Sequence, residues 1–220
     1  MSDCTRRYLL AHSIAFLALA GPRSIWGENT KKLNVVVTGE HPGDPESGCG
    51  GTAARYADLG HAVTLLYLNK GQGGCSGIAP DACGALRVTE AQRACNILKA
   101  VPRFAGQMDG DAVVDAAHYD NFYKLLTSLN PDIIFTQWPI DNHRDHRALS
   151  TLVYDAWRRM RKNIALYYYE VSNGEDTMMF SPTDYVDISR TESRKRAARY
   201  AHASQSPDRF YVWKSQVTRF

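Results

Sequence analysis

Two short stretches of this chain carry the side-chain types that bind metal ions and move protons. The first is His41-Pro42-Gly43-Asp44-Pro45-Glu46, directly after the apolar run Val35-Val36-Val37-Thr38-Gly39. The second is Asp141-Asn142-His143-Arg144-Asp145-His146, which follows the strand-like stretch Asp132 to Thr136. A catalytic zinc takes three nitrogen, oxygen or sulfur ligands and keeps one place for water. His41, Asp44 and His146 offer two nitrogens and one oxygen. Pro42 and Pro45 stiffen the turn around Asp44, which suits ligands fixed before a metal arrives. His143 and His146 are three residues apart at the mouth of a helix and share one side of it. One of them can then bind metal while the other faces substrate. Asp145 is placed to orient His143 by accepting its ring N–H. Each stretch alone also has a plain reading. Pro-Gly-Asp-Pro is an ordinary turn, and His-x-x-His at a helix start is often two polar residues facing water. Their joint position after two strands of one pattern is what favours a site.

The elements that must position these groups follow from periodicity. Leu33 to Thr38 is predicted to be a buried strand, a β-branched run bounded by turn residues. Gly50 to Leu59 is predicted as a helix closed by Gly60. His61 to Leu68 is the next strand, and Asn69 to Gly84 a long Gly-rich loop of the kind that is usually functional. Helices are expected at Thr89 to Lys99, Tyr119 to Leu129, His146 to Met160 and Glu192 to Ala203. Further strands are expected at Asp132 to Thr136 and Ile164 to Val171. Strands alternating with helices imply an α/β fold: a mainly parallel sheet with helices on both faces. Such sheets bind ligands beyond the carboxyl ends of their strands, which is where both stretches fall.

Composition bounds the rest. The 220 residues suffice for one α/β domain, read here as 31–220, with 44% hydrophobic and 22% charged residues. The net charge of +3 is small. The basic groups Arg158 to Lys162 and Arg190 to Arg199 therefore read as solvated helix faces, and nucleic-acid binding is not expected. Residues 1–20 read as an export signal: Arg6-Arg7 precede an apolar run, and Ala18-Leu19-Ala20 has the small-x-small form of a cleavage site. The twin arginines fit a Tat-type signal, so a periplasmic or extracellular location is expected. The run is short for a membrane span, and none is expected in the mature chain. An oxidising compartment would permit a Cys75–Cys83 bridge across the Gly-rich loop.

At this level of detail the chain resembles the PIG-L/LmbE-type zinc-dependent N-acetylglucosaminyl deacetylases. The resemblance rests on His41-Pro42-Gly43-Asp44-Pro45-Glu46, Gly48-Cys49-Gly50-Gly51-Thr52 and His143-Arg144-Asp145-His146. Arg87 with Glu90, and His202-x-Ser204-Gln205, match weaker features. It implies a Rossmann-like fold, Zn2+ held by His41, Asp44 and His146, and removal of acetyl from an N-acetylated sugar or glycoconjugate. It also implies that His143 stabilises the oxyanion and that Arg87 contacts the substrate.

One position departs from the family pattern. The motif there is His-Pro-Asp-Asp, whose first Asp is the general base, and this chain has Gly43. A positioned base contributes about 10²–10⁴ in rate. Three readings follow: Glu46, Asp141 or Asp145 takes the role; the enzyme is slow or acts on an easier substrate; or the site binds metal or sugar without turnover. Glu46 also has a structural reading, as a cap on the following helix. A dinucleotide-binding domain built on Gly48-Cys49-Gly50-Gly51 is disfavoured. Its glycines should follow the first strand directly, and an acidic residue should end the second, where this chain has Asn69-Lys70.

Overall fold

The computed structural model describes residues 31–161, 163–171, 176–209 and 211. The proposed export signal at 1–20 lies outside them. Five strands form one sheet: β1 (Asn34–Gly39), β2 (Ala62–Asn69), β3 (Val101–Gln107), β4 (Ile133–Gln137) and β5 (Ala165–Tyr169). Their order is β3-β2-β1-β4-β5, and every pair is parallel. Among the described residues five α-helices accompany them: α1 (Asp44–Asp58), α2 (Pro80–Leu98), α3 (Ala116–Ser128), α4 (Arg144–Met160) and α5 (Glu192–Tyr200). The α/β Rossmann-like expectation is met.

The period-2 alternation of the strands builds two cores. Val35 and Val37 of β1 and Leu65 and Tyr67 of β2 pack on one face, against Ala53 of α1, Ala91 and Cys95 of α2, and Ala198 of α5. Val36, Leu66, Leu68 and Ile134 point the other way, onto Phe122 and Leu126 of α3 and onto α4. Helix α4 presents Leu149, Leu152, Val153, Ala156 and Met160 to that face. Those positions recur every three or four residues, which puts them on one stripe of a helix. Strands buried on both faces read as continuous apolar runs, and β1 and β2 do so.

The chain leaves β1 and crosses to β2 on one side, whereas β4 joins β1 on the other. Reversal of the winding direction at β1 and β4 opens a crevice beyond their carboxyl ends. His41 and Asp44 follow β1, and His143 and His146 follow β4, so the topology alone delivers both stretches to one place.

Three sequence expectations need correction. Helix α1 begins at Asp44, not Gly50. Pro45 sits in its first turn, where the missing N–H has no helical partner to lose. Helix α2 begins at Pro80, not Thr89, so Arg87 lies inside it rather than ahead of it. Strand β3 was not expected. It holds Pro102 and Gly106, but it is an edge strand, where a missing donor is tolerated. Cys75 and Cys83 are joined in a disulfide, as expected, and the bridge ties the Gly-rich loop to the first turn of α2. No helix among the described residues is long and apolar enough to cross a membrane.

Candidate metal centre

His41, Asp44 and His146 come together. Their donor atoms lie within 4.8 Å of one another. Oδ2 of Asp44 is the hub: Nδ1 of His41 is 3.2 Å away and Nε2 of His146 is 3.4 Å away. The backbone N–H of His41 and the side-chain amide of Gln137 also donate to that oxygen, at 2.9 and 3.3 Å. Gln137 ends β4, and its Oε1 accepts the Glu40 N–H at 3.0 Å, which locks the two strand ends together.

Each imidazole turns its other nitrogen to a carboxylate. Nε2 of His41 lies 3.0 Å from Oδ1 of Asp109, and Nδ1 of His146 lies 3.1 Å from Oδ1 of Asp141. Outer carboxylates of this kind orient metal-binding imidazoles and raise their basicity. The inner atoms are therefore two nitrogens and one oxygen facing a common point, a donor set that fits a divalent cation of the zinc type. A second trio, His41, His143 and Asp145, is also close enough to be considered. It fits less well. Nδ1 of His143 accepts the Asp145 N–H at 3.3 Å, and Oδ2 of Asp145 accepts the Gly110 N–H at 2.7 Å.

These bonds correct the expected role of Asp145. Its backbone, not its carboxylate, holds His143. His143 is the N-cap of α4, with its Nδ1 acting as acceptor. An imidazole that accepts at Nδ1 and is neutral carries its proton on Nε2. Burial lowers the His143 pKa, and the neighbouring His146 and His41 lower it further, so the neutral form is favoured. Glu46 also stands apart from the proton-transfer role considered for it. It is fully buried, with Tyr67 Oη donating to Oε1 at 2.7 Å and Nε2 of His202 at 2.9 Å from the same oxygen. Its Oε2 accepts the Gly43 N–H at 3.0 Å, which caps α1. Asp141 is likewise occupied, by His146 and by the His143 N–H at 2.8 Å.

Arg87 is near the centre but committed to backbone. Nη1 donates to the Gly71 carbonyl at 2.9 Å and Nη2 to the Pro42 carbonyl at 2.8 Å. It lines an open cleft of about 420 Å³ together with His41, Asp44, Asp109, His143 and Arg199. The weaker sequence features serve as supports. Ser204 donates to Glu90 through its backbone N–H and its hydroxyl, at 2.8 and 2.6 Å, and Gln205 reaches the cleft.

Two cleft residues were not found from sequence. Asp109 follows β3, so missing that strand meant missing the residue that closes it. Arg199 belongs to the basic segment read as a solvated face, yet only 7% of it is exposed. Helix α5 packs across α1 and α2 and turns that side chain inward. At Gly43, φ is +112°, a conformation that side chains rarely adopt.

The charges are strongly coupled. Burial alone would lower the His41 and His146 pKa values. For His41, hydrogen bonds to Asp109 and Asp44 outweigh it and hold the imidazole up at about 9. For His146, Asp44 and Asp141 hold it up at about 10. Burial pushes the Glu40 carboxyl, directly beneath, well above the usual carboxylate range.

The parallel α/β sheet thus carries, at its switch point, a His-Asp-His cluster that could hold a metal ion. Residues 36–157 match the family model described as PIG-L, GlcNAc-PI de-N-acetylase. The chain belongs to this family. It is similar to the conserved protein TT1542 from Thermus thermophilus, at 28% identity, covering 79% of this chain and 80% of that one with a TM-score of 0.68. It is also similar to an N,N'-diacetylchitobiose deacetylase from Pyrococcus horikoshii, at 21% identity, 86% and 77% coverage and a TM-score of 0.72. A third similar fold is GalB, the 4-carboxy-2-hydroxymuconate hydratase of Pseudomonas putida, at 19% identity, 83% coverage of each chain and a TM-score of 0.72.

The raised histidine pKa values give a pH dependence for the metal-free protein. A group whose pKa rises on folding stabilises the fold fully below its unfolded value and loses that contribution as pH rises through the folded value. Chelator-treated protein should therefore lose thermal stability from about pH 6.5 upward, through about 9 and 10. Melting temperatures across that range check this; a midpoint that rises steadily over the same window would contradict it.

Proposed function

We propose that this protein is a metal-dependent N-deacetylase that hydrolyses the acetyl amide of an N-acetylated amino sugar or glycoconjugate. The observation that carries the reading is the convergence of His41, Asp44 and His146, each imidazole backed by a carboxylate. Family membership and the deacetylase among the similar folds support the same chemistry. In this reading His41, Asp44 and His146 hold a zinc ion. The ion, when bound, supplies Lewis-acid polarisation of the acyl carbonyl and acidifies the attacking water.

The chain's own groups do the rest. His143, neutral and with its proton on Nε2, donates to the carbonyl oxygen as negative charge builds there. Arg87 frames the cleft wall and holds the Gly71 and Pro42 carbonyls in place. Because Gly43 offers no carboxylate, the proton of the attacking water needs another acceptor. Asp44 and Asp109 are the carboxylates that line the cleft among the described residues. Asp44 is taken by the ion, so Asp109 is the acceptor in this scheme.

A second reading is a metal- and sugar-binding protein without turnover. Gly43 favours it, together with the two bonds that already occupy Asp109, from His41 and from the Gly73 N–H at 2.9 Å. The two readings separate on acetate release from N-acetylated sugars by zinc-loaded protein. Release above the rate of buffer supports the deacetylase; bound zinc and sugar with no acetate supports the second reading.

Two variants test the roles. His146→Ala should lose stoichiometric zinc and the acetate-release activity together; a variant that keeps both would remove His146 from the metal set. Asp109→Asn should lower kcat by about 10²–10⁴ at saturating zinc, and should also weaken zinc binding because Asp109 backs His41. An unchanged kcat would mean that another group takes the proton.

A further inference from the structure

Among the described residues, Arg199 is a buried cation without a counter-ion. Only 7% of it is exposed, and its Nε and Nη1 make no hydrogen bond among the described residues. It also makes no ion pair there. Burying a guanidinium without a partner is costly, and such groups are normally paired or ligand-bound. The cost is visible in its titration: burial lowers the Arg199 pKa, and the more distant Asp44, Glu46 and Glu90 offset this only in part.

The side chain is aimed into the cleft. A Cβ built on Gly43 would lie 3.2 Å from Nη1 of Arg199 and 3.8 Å from its Cζ. Arg199 therefore stands over the backbone between His41 and Asp44, beside the metal centre. Arg87 flanks it with a second guanidinium, 4% exposed, whose Nε is also unpartnered among the described residues. The acids of the cleft, Asp44 and Asp109, already face the two histidines. Once a divalent cation is added, the cleft carries surplus positive charge. A neutral sugar needs none of it.

We propose that Arg199 forms an anion subsite at the floor of the cleft and selects N-acyl substrates that carry a carboxylate or phosphate near the scissile amide. The inference rests on the deacetylase reading for the acyl group but not for the anion. A planar guanidinium with free N–H donors matches either oxyanion in a two-pronged contact. Gly43 carries no side chain, so nothing from that position stands between the cleft and the guanidinium of Arg199 that lines it.

The test uses full-length, zinc-loaded protein in two measurements. The first compares acetate release from N-acetylglucosamine, N-acetylmuramic acid and N-acetylglucosamine 6-phosphate. We expect kcat/KM to favour at least one anionic substrate tenfold or more, and which one distinguishes carboxylate from phosphate. No preference for either would overturn the proposal. The second is calorimetric binding of inorganic phosphate to wild type, Arg199→Met, Arg199→Lys and, as a control on the exposed face of α4, Arg158→Met. We expect Arg199→Met to lose tenfold or more in affinity, Arg199→Lys to fall between, and Arg158→Met to match wild type. Equal phosphate affinity in Arg199→Met and wild type would overturn the subsite. So would a drop in kcat for all substrates alike with phosphate affinity unchanged, since that marks a role in the transition state alone. If Arg199→Met does not fold, the wild-type preference and the lysine variant decide. Arg199-dependent phosphate binding without acetate release from any substrate would leave the subsite standing and sink the deacetylase reading instead.

Discussion

The interaction on which this structure depends is the seating of one carboxylate oxygen between two imidazoles. Oδ2 of Asp44 faces Nδ1 of His41 and Nε2 of His146, with Asp109 and Asp141 closing the row at either end. Alternating charge of this kind is stable in a buried place only because each member is paired. The row crosses the β1–β4 junction, so sheet topology and site geometry are one constraint. Strand pairing at Val35–Ile133, Val36–Ile134 and Val37–Phe135 sets where the two loops emerge. A slip of that register would shift the two histidine-bearing loops relative to each other and turn the strand's core side chains to the other face.

A fixed cluster also explains the supports around it. Glu46, Tyr67 and His202 form a buried hydrogen-bonded set beneath the first turn of α1, and Glu46 pins the Gly43 N–H. Glu90 pins Ser204 from the opposite side. These groups do not face the cleft. They hold the two segments that do: the turn carrying His41 to Asp44, and the end of α5 carrying Arg199. Rigid placement of this sort lets a site work without rearrangement.

Much of this was legible in the sequence because the signals were local. The Val35–Val37 run marks β1, and the ligand residues follow it at short, proline-stiffened spacing. The α4 stripe and its preceding His-x-x-His are equally local. What was not legible depends on tertiary contact. Strand β3 has Pro102 and Gly106, and it exists because an edge position forgives both. Helix α1 has glycines where helices avoid them; a Cβ at Gly48 would run into the Tyr169 ring, so close packing overrides propensity. Arg199 sits in a stretch of charge whose composition says solvent. Its burial follows from how α5 lies on α1 and α2, which no window of sequence contains. Asp145 was assigned to the right neighbour, but its backbone rather than its side chain makes the bond.

The most direct test of the account is crystallographic: anomalous scattering at the zinc absorption edge from protein grown with zinc. The account places one strong peak between Nδ1 of His41, Oδ2 of Asp44 and Nε2 of His146, with Asp109 and Asp141 still bonded to the outer nitrogens. A peak elsewhere, or none at that point with the metal present in solution, would contradict it.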